Sequence, residues 1–177
     1  MSLSIYEIVI LPMIHGLGVM DDYIGHAEKL AEAKQVPVEE ILDARLAPDM
    51  LTFEEQILAV CNKVEAHVSK LARTERPPIV KVQPTAAALR ARVADTVRYL
   101  NGVSEGALAG AETHTFELTP PTVRGWFGGV DYITLLAMPD FNFHLATAHD
   151  ILRHLGAQIG KRDYLGRLSQ ESGGAYS

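Results

Sequence analysis

The chain has 177 residues, 47% of them hydrophobic and 21% charged, with a formal net charge of −6. Those values describe one globular domain with a buried core and exclude a disordered chain. The acidic balance and the lack of any Lys/Arg-rich run argue against nucleic acid or an anionic membrane as a partner. Cys61 is the single cysteine, so no intrachain disulfide can form, and a reducing, cytoplasmic setting is expected. The start, MSLSIYEIVILPMIHG, carries Glu7 and no basic residue, which makes it a poor signal peptide. No uninterrupted apolar run approaches the roughly 20 residues of a membrane span.

Residues 4 to 34 read as one long helix, with Ile10, Met13, Leu17, Ile24, Ala27 and Ala31 forming an apolar stripe. Pro12 falls in its first turns. Pro37 suits the start of a short helical turn through Glu39 to Leu42. A second long helix is expected from Asp49, a candidate N-cap, and Thr52 with Glu55 has capping-box spacing. Phe53, Ile57, Val60, Val64, Val68 and Leu71 form its apolar face. Pro77 and Pro78 force an extended path through residues 74 to 84. The third helix is predicted from Thr85, as N-cap, to Leu100, with Gly102 as its stop.

Residues 113 to 127, THTFELTPPTVRGWF, change period to two short β-like runs around Pro120 and Pro121, and predict a small hairpin or extended arm. In GWFGGVDY the glycines read as the opening of a helix rather than as a nucleotide fingerprint. The fourth helix is predicted from Asp131 to Leu155, with Gly156 closing it and Pro139 kinking or interrupting it. Residues 1 to 166 make one domain, and 167 to 177 are expected to form a frayed tail. Four amphipathic helices predict an all-α four-helix bundle with a small β-like arm between the third and fourth. Eleven extended residues at 74 to 84 span roughly 36 Å, whereas a 16-residue third helix is about 24 Å long. The linker can therefore run the length of the bundle, which allows the second and third helices to lie parallel.

The stretches MSLSIYE, ARLAPDM (44 to 50), MPDFNFH (138 to 144), TAHDILRH (147 to 154) and GKRDYLG (160 to 166) carry a family resemblance over nearly the whole chain. The chain resembles the DinB/YfiT-like superfamily of four-helix bundles, known as putative metalloenzymes, in a branch known only as a domain of unknown function. The resemblance implies a bundle with a long crossover and a homodimer. It also implies, for the metal-binding members, a divalent ion held by one histidine of the second helix and a His-x-x-x-His pair of the last. Some of those members act on thiol cofactors such as bacillithiol or mycothiol. In the resembled branch Asp140 is usually asparagine, a poor ligand, and His149 is usually tyrosine.

Helical geometry tests the metal expectation. Histidines four apart lie about 40° apart around a helix, but His144, His149 and His154 are spaced by five, about 140° and 7.5 Å per step. Adjacent members cannot share an ion, and the position four after His144 is Ala148. A weaker set remains: Asp140 and His144 share a face, and His67 on the second helix could complete a two-His-one-carboxylate set for Zn or Ni. Matching helix midpoints puts His144 level with Cys61 and Asn62, and His67 about 9 Å away along the axis. The metal-free expectation is a polar pocket of Asp140, His144, Cys61 and Asn62, with His144 buried and hydrogen-bonded.

His149 is expected to face solvent or a dimer partner, and His154 to sit at the helix C-terminus, favoured by the dipole and by Asp150. His15, Asp22 and His26 predict a solvated face. Cys61, with no basic residue on its face, is expected to be an inert buried thiol, a redox nucleophile being the alternative. Lys161 and Arg162 in GKRDYLG are expected in a surface loop, or else holding an anion. The sequence thus favours a small-ligand-binding or stress-related homodimer without metal. The alternative is a divalent-metal-dependent hydrolase or thiol transferase.

Overall fold

The computed structural model describes residues 3–118 and 124–167. In chain order these form α1 (Leu11–Lys34), α2 (Val38–Leu42), α3 (Phe53–Ala72), α4 (Ala86–Asn101), α5 (Glu105–Leu108), β1 (Thr115–Leu118), β2 (Gly125–Gly128), α6 (Gly129–Asp131), α7 (Met138–His154) and α8 (Lys161–Leu165). The long helices α1, α3, α4 and α7 make the bundle. The expected tail from residue 168 onward, and Pro120 with Pro121, lie outside the described residues.

Capping chemistry sets the helix starts. The α3 helix begins after Thr52, not at Asp49: Thr52 Oγ1 accepts from the Glu55 N–H at 3.2 Å, and the Glu55 carboxylate accepts from the Thr52 N–H at 2.8 Å. The reciprocal box satisfies two backbone donors at once, which Asp49 alone cannot do. Thr85 caps α4 by accepting from the Ala88 N–H, and Gly102 closes it. Pro37 stands immediately before α2. Gly156, at φ +101°, ends α7 in a conformation that suits glycine.

Pro139 does not interrupt its helix. The residues before it, Tyr132–Ala137, wind as a π-helix that joins α6 to α7 without a break. Met138 donates its N–H to Ile133 O, five residues back rather than four. The wider turn accommodates a ring that would otherwise collide with the carbonyl four residues before it. Pro12 repeats the device: Tyr6–Ile10 is π-helical, and Leu11 donates to Tyr6 O.

Side-chain partners fix the directions. On α1, Gly16 packs against Phe141 and Leu145 of α7, and Tyr23 meets His149, so these two helices run parallel. Gln56 meets His144 whereas His67 meets Tyr132, so α3 and α7 are antiparallel. Asn62 and Glu65 of α3 meet Arg92 of α4, and Thr74 lies beside Tyr99, so α3 and α4 advance together. The order is up, down, down, up, with residues 74 to 84 as the long crossover.

The core side of α3 is closed: Phe53, Ile57, Val60, Val64 and Val68 are fully buried, each worth about 1.5–3 kcal/mol relative to exposure. The first helix, Tyr6–Lys34, is long and apolar enough by length and composition to cross a membrane, contrary to the reading of its sequence. That reading looked for an unbroken apolar run, whereas the helix reaches the threshold on average. In the bundle, 50% of its most apolar window is buried.

The expected β-like arm is an antiparallel hairpin, with Phe116 opposite Phe127. A bond from the Gly129 N–H to His114 O at 2.7 Å closes the base of the hairpin, and two contacts tie it to the bundle: Lys70 Nζ donates to Glu117 O at 2.9 Å, and Phe116 packs on Tyr132 with ring centroids 4.9 Å apart.

Candidate functional site

One side of α3 carries Asn62, Lys63, Ala66, His67 and Lys70, which are linked by spacings of three and four residues and so share a face. The hairpin and the π-to-α junction lie opposite. Between them is a cavity of about 390 Å³, lined by those side chains together with Arg76, Leu118, Tyr132, Leu136 and Asp140.

Asp140 is the hub. Lys63 Nζ donates to its Oδ2 at 2.9 Å, and His67 Nε2 donates to the same oxygen at 3.0 Å. A carboxylate only accepts, so Nε2 carries the His67 proton and Nδ1 is left as the acceptor. The Tyr132 hydroxyl donates to that Nδ1 at 2.8 Å. On the other side, His144 Nε2 lies 3.6 Å from Asp140 Oδ1, an ion-pair contact too long for a hydrogen bond. Gln56 orients the second imidazole: its Nε2 donates to Leu51 O, leaving Oε1 to accept from His144 Nδ1 at 2.7 Å. With Nδ1 committed as a donor, Nε2 favours Asp140 only through a shared proton or cation.

Burial opposes charge on Asp140, but the contacts from His144, His67 and Lys63 outweigh it and hold the carboxyl well below the usual carboxylate range. Burial, aided by the nearby Asp140 charge, pushes the Tyr132 phenol well above its ordinary value, so it serves as a donor and not as a nucleophile. The expectation that Cys61 and Asn62 stand level with His144 needs correction: Gln56 does. Helix midpoints are a poor ruler, because α3 and α7 are offset along their axes: Gln56 lies near the start of α3, whereas His144 lies near the middle of α7. Asn62 does line the cavity with Asp140, whereas Cys61 is fully buried and faces Thr96 and Arg92 of α4. Burial lifts its thiol to about 11 despite that guanidinium, a basic neighbour that its own helix face does not reveal.

His67, Asp140 and His144, the weaker metal set, do come together. The donor set does not fit a divalent ion as arranged. Both nitrogens of His67 are committed, and the Lys63 ammonium supplies the positive charge at Asp140 Oδ2. Among the described residues no group of three or more His, Cys, Asp or Glu side chains is positioned to hold a metal ion.

The remaining histidines lie elsewhere. His149 does not face solvent: α1 and α7 run side by side, and its Nδ1 pairs with the Tyr23 hydroxyl at 2.8 Å, with Tyr164 edge-on beyond. Burial lowers its pKa. His154 is exposed at the last position of α7. The face of His15 and His26 is partly covered rather than solvated, because the GKRDYLG segment folds onto it. The His15 ring meets Leu165 O at 2.6 Å, and His26 lies 3.8 Å from Asp163; Asp22 stays exposed. In that segment the Gly160 N–H donates to Asp163 at 2.7 Å, and Lys161 and Arg162 remain exposed.

Sequence reasoning missed Gln56, Lys63, Lys70, Arg76 and Tyr132. Two signals were present. Tyr132, Leu136, Asp140 and His144 repeat every four residues, and Gln56 is a polar residue one turn before Val60 on the apolar stripe of α3.

Comparison with known proteins agrees with this architecture. Residues 5–165 match the family model described as a domain of unknown function, DUF1993. No curated protein matches. A crystal structure of a DinB family member protein from Shewanella denitrificans is similar, at a TM-score of 0.85 and 31% identity over 92% of each chain. With its bundle, its crossover and a match over most of its length, the chain belongs to the DUF1993 family, within the DinB-like superfamily.

Proposed function

We propose that this protein binds a small molecule in the cavity between α3, the hairpin and α7, and does so without a resident metal. One observation carries the reading: Lys63 and His67 both hold Asp140 Oδ2 at the wall of a 390 Å³ cavity, a size typical of ligand pockets. The network fixes the wall in one geometry, which lowers the cost of ordering it around a ligand. A fragment screen read by amide shifts tests this. Hits should cluster at residues 62 to 70 and disappear in Ala66→Trp, which fills the cavity. Hits scattered over the surface, or unaffected by that substitution, refute it.

The same reading takes the protein to be a cytoplasmic homodimer. Leu135 and Phe143 support the dimer: they are 70% and 58% exposed, eight residues apart along one helical run. Sedimentation should show a dimer that Phe143→Lys converts to monomer. A monomeric parent protein would remove that part of the proposal.

A second reading, a divalent-metal-dependent hydrolase or thiol transferase, rests on the His144 Nε2 to Asp140 Oδ1 gap of 3.6 Å. Two donors on one tetrahedral zinc stand about 3.3 Å apart. Stoichiometric Zn or Ni in protein purified without a nickel column, lost in His144→Ala, would establish this reading over the first.

A further inference from the structure

We infer that the cavity is selective for a small organic anion, a carboxylate or a phosphate ester. The inference rests on the proposal that the cavity binds a small molecule, and adds the sign of its charge. Three cations line the cavity, Lys63, Lys70 and Arg76, against one carboxylate, Asp140. Asp140 compensates Lys63. The other two are anchored by neutral groups: Lys70 Nζ donates to Glu117 O at 2.9 Å, and Arg76 donates to Asn62 O at 3.0 Å. Neither is within ion-pair distance of a carboxylate among the described residues. Each keeps further N–H donors, two on the ammonium and four on the guanidinium. The chain as a whole carries −6, so this cavity reverses the sign of the molecule around it. Backbone carbonyls hold the two cations in place without neutralising them, which is the arrangement that binds an anion. Leu118 and Leu136 add an apolar wall, which suits an anion with an organic body better than a bare inorganic ion.

The test titrates the isotope-labelled full chain with four probes of one shape: phenyl phosphate, benzoate, benzyl alcohol and benzylamine. Amide shifts at Lys63, Lys70 and Arg76 report occupancy. Phenyl phosphate or benzoate should bind at least about tenfold tighter than the neutral and cationic probes, and the tighter of the two identifies the acid group. Lys70→Gln and Arg76→Gln should each weaken that probe about fivefold to tenfold, with an unchanged urea midpoint showing that the fold is intact. Benzyl alcohol or benzylamine binding as tightly as the anions overturns the charge selectivity and leaves the pocket standing. Failure of all four probes to move these amides overturns the pocket and the inference together.

Discussion

The α3 helix carries two ionic clusters on opposite sides, one buried and one partly open, and they are built differently. Toward α4, Arg92 grips Glu65 through two bonds of 2.7 Å, with 6% and 5% of the side chains exposed, and adds Asn62 and Thr96. Toward α7, Asp140 gathers Lys63, His67 and His144 beside the cavity. The first cluster uses a guanidinium whose charge is permanent and whose fork matches a carboxylate. The second uses imidazoles and an ammonium, which meet the carboxylate through single donors rather than a matched fork. A permanent, bidentate pair locks two parallel helices together; a network of single donors around one carboxylate lines a cavity.

Breaking the first cluster should have the larger effect. Glu65→Gln leaves Arg92 buried without its counter-charge and should cost about 3–5 kcal/mol in urea unfolding. Glu65→Leu with Arg92→Met should recover most of that loss, since a buried pair contributes little over apolar packing. A double variant no better than the single one would mean that the pair does more than fix the helices.

Asp140→Asn should cost about 1–3 kcal/mol at pH 7, because the charge-assisted bonds from Lys63 and His67 weaken. The pH dependence has a definite sign. The folded pKa of Asp140 lies below its unfolded value, so its stabilisation is fully present above about pH 4 and is lost as pH falls further, where only the unfolded chain takes up the proton. Asp140→Asn should therefore flatten the acid limb of stability against pH, and an unchanged limb would place the acid-sensitive group elsewhere.

Gln56→Leu, which leaves His144 Nδ1 without its acceptor, should cost about 1 kcal/mol. A labelling rate, rather than a stability, sharpens the α4 side. With its thiol at about 11, Cys61 should be alkylated at pH 8 at least about 100-fold more slowly in the native chain than in urea. Rapid native labelling would mean that this side opens.

Much of the bundle was legible because it rests on local chemistry. Thr52 with Glu55, Thr85, Gly102 and the paired prolines at 77 and 78 each act within a few residues, and the length of the crossover follows from the rise per residue. The site was less legible because its members meet across helices. Asp140 and His144 were found by their four-residue spacing, but their partners depend on the vertical offset of α3 against α7, which no periodicity encodes. Arg92 beside Cys61 and Tyr23 beside His149 were hidden for the same reason. Asp49 failed as a cap because Thr52 offers a two-way bond that a lone carboxylate cannot match.

The two π-helical turns have one further consequence. A π turn takes in about one residue more than an α turn, so it sets back the rotational phase of everything upstream by about 100°. Tyr132 reaches His67 at the phase that the π segment before Pro139 gives it. Pro12 lies four residues before Gly16, and Pro139 two before Phe141, which packs on Gly16, so the two phase shifts fall at one height on neighbouring parallel helices. Deleting one residue between Ile133 and Ala137 would let that stretch relax to α winding while keeping Tyr132 aimed at His67. The same deletion after Pro139 has no π turn to absorb it, and would rotate Tyr132 and Asp140 by about 100° against His149 and the rest of α7.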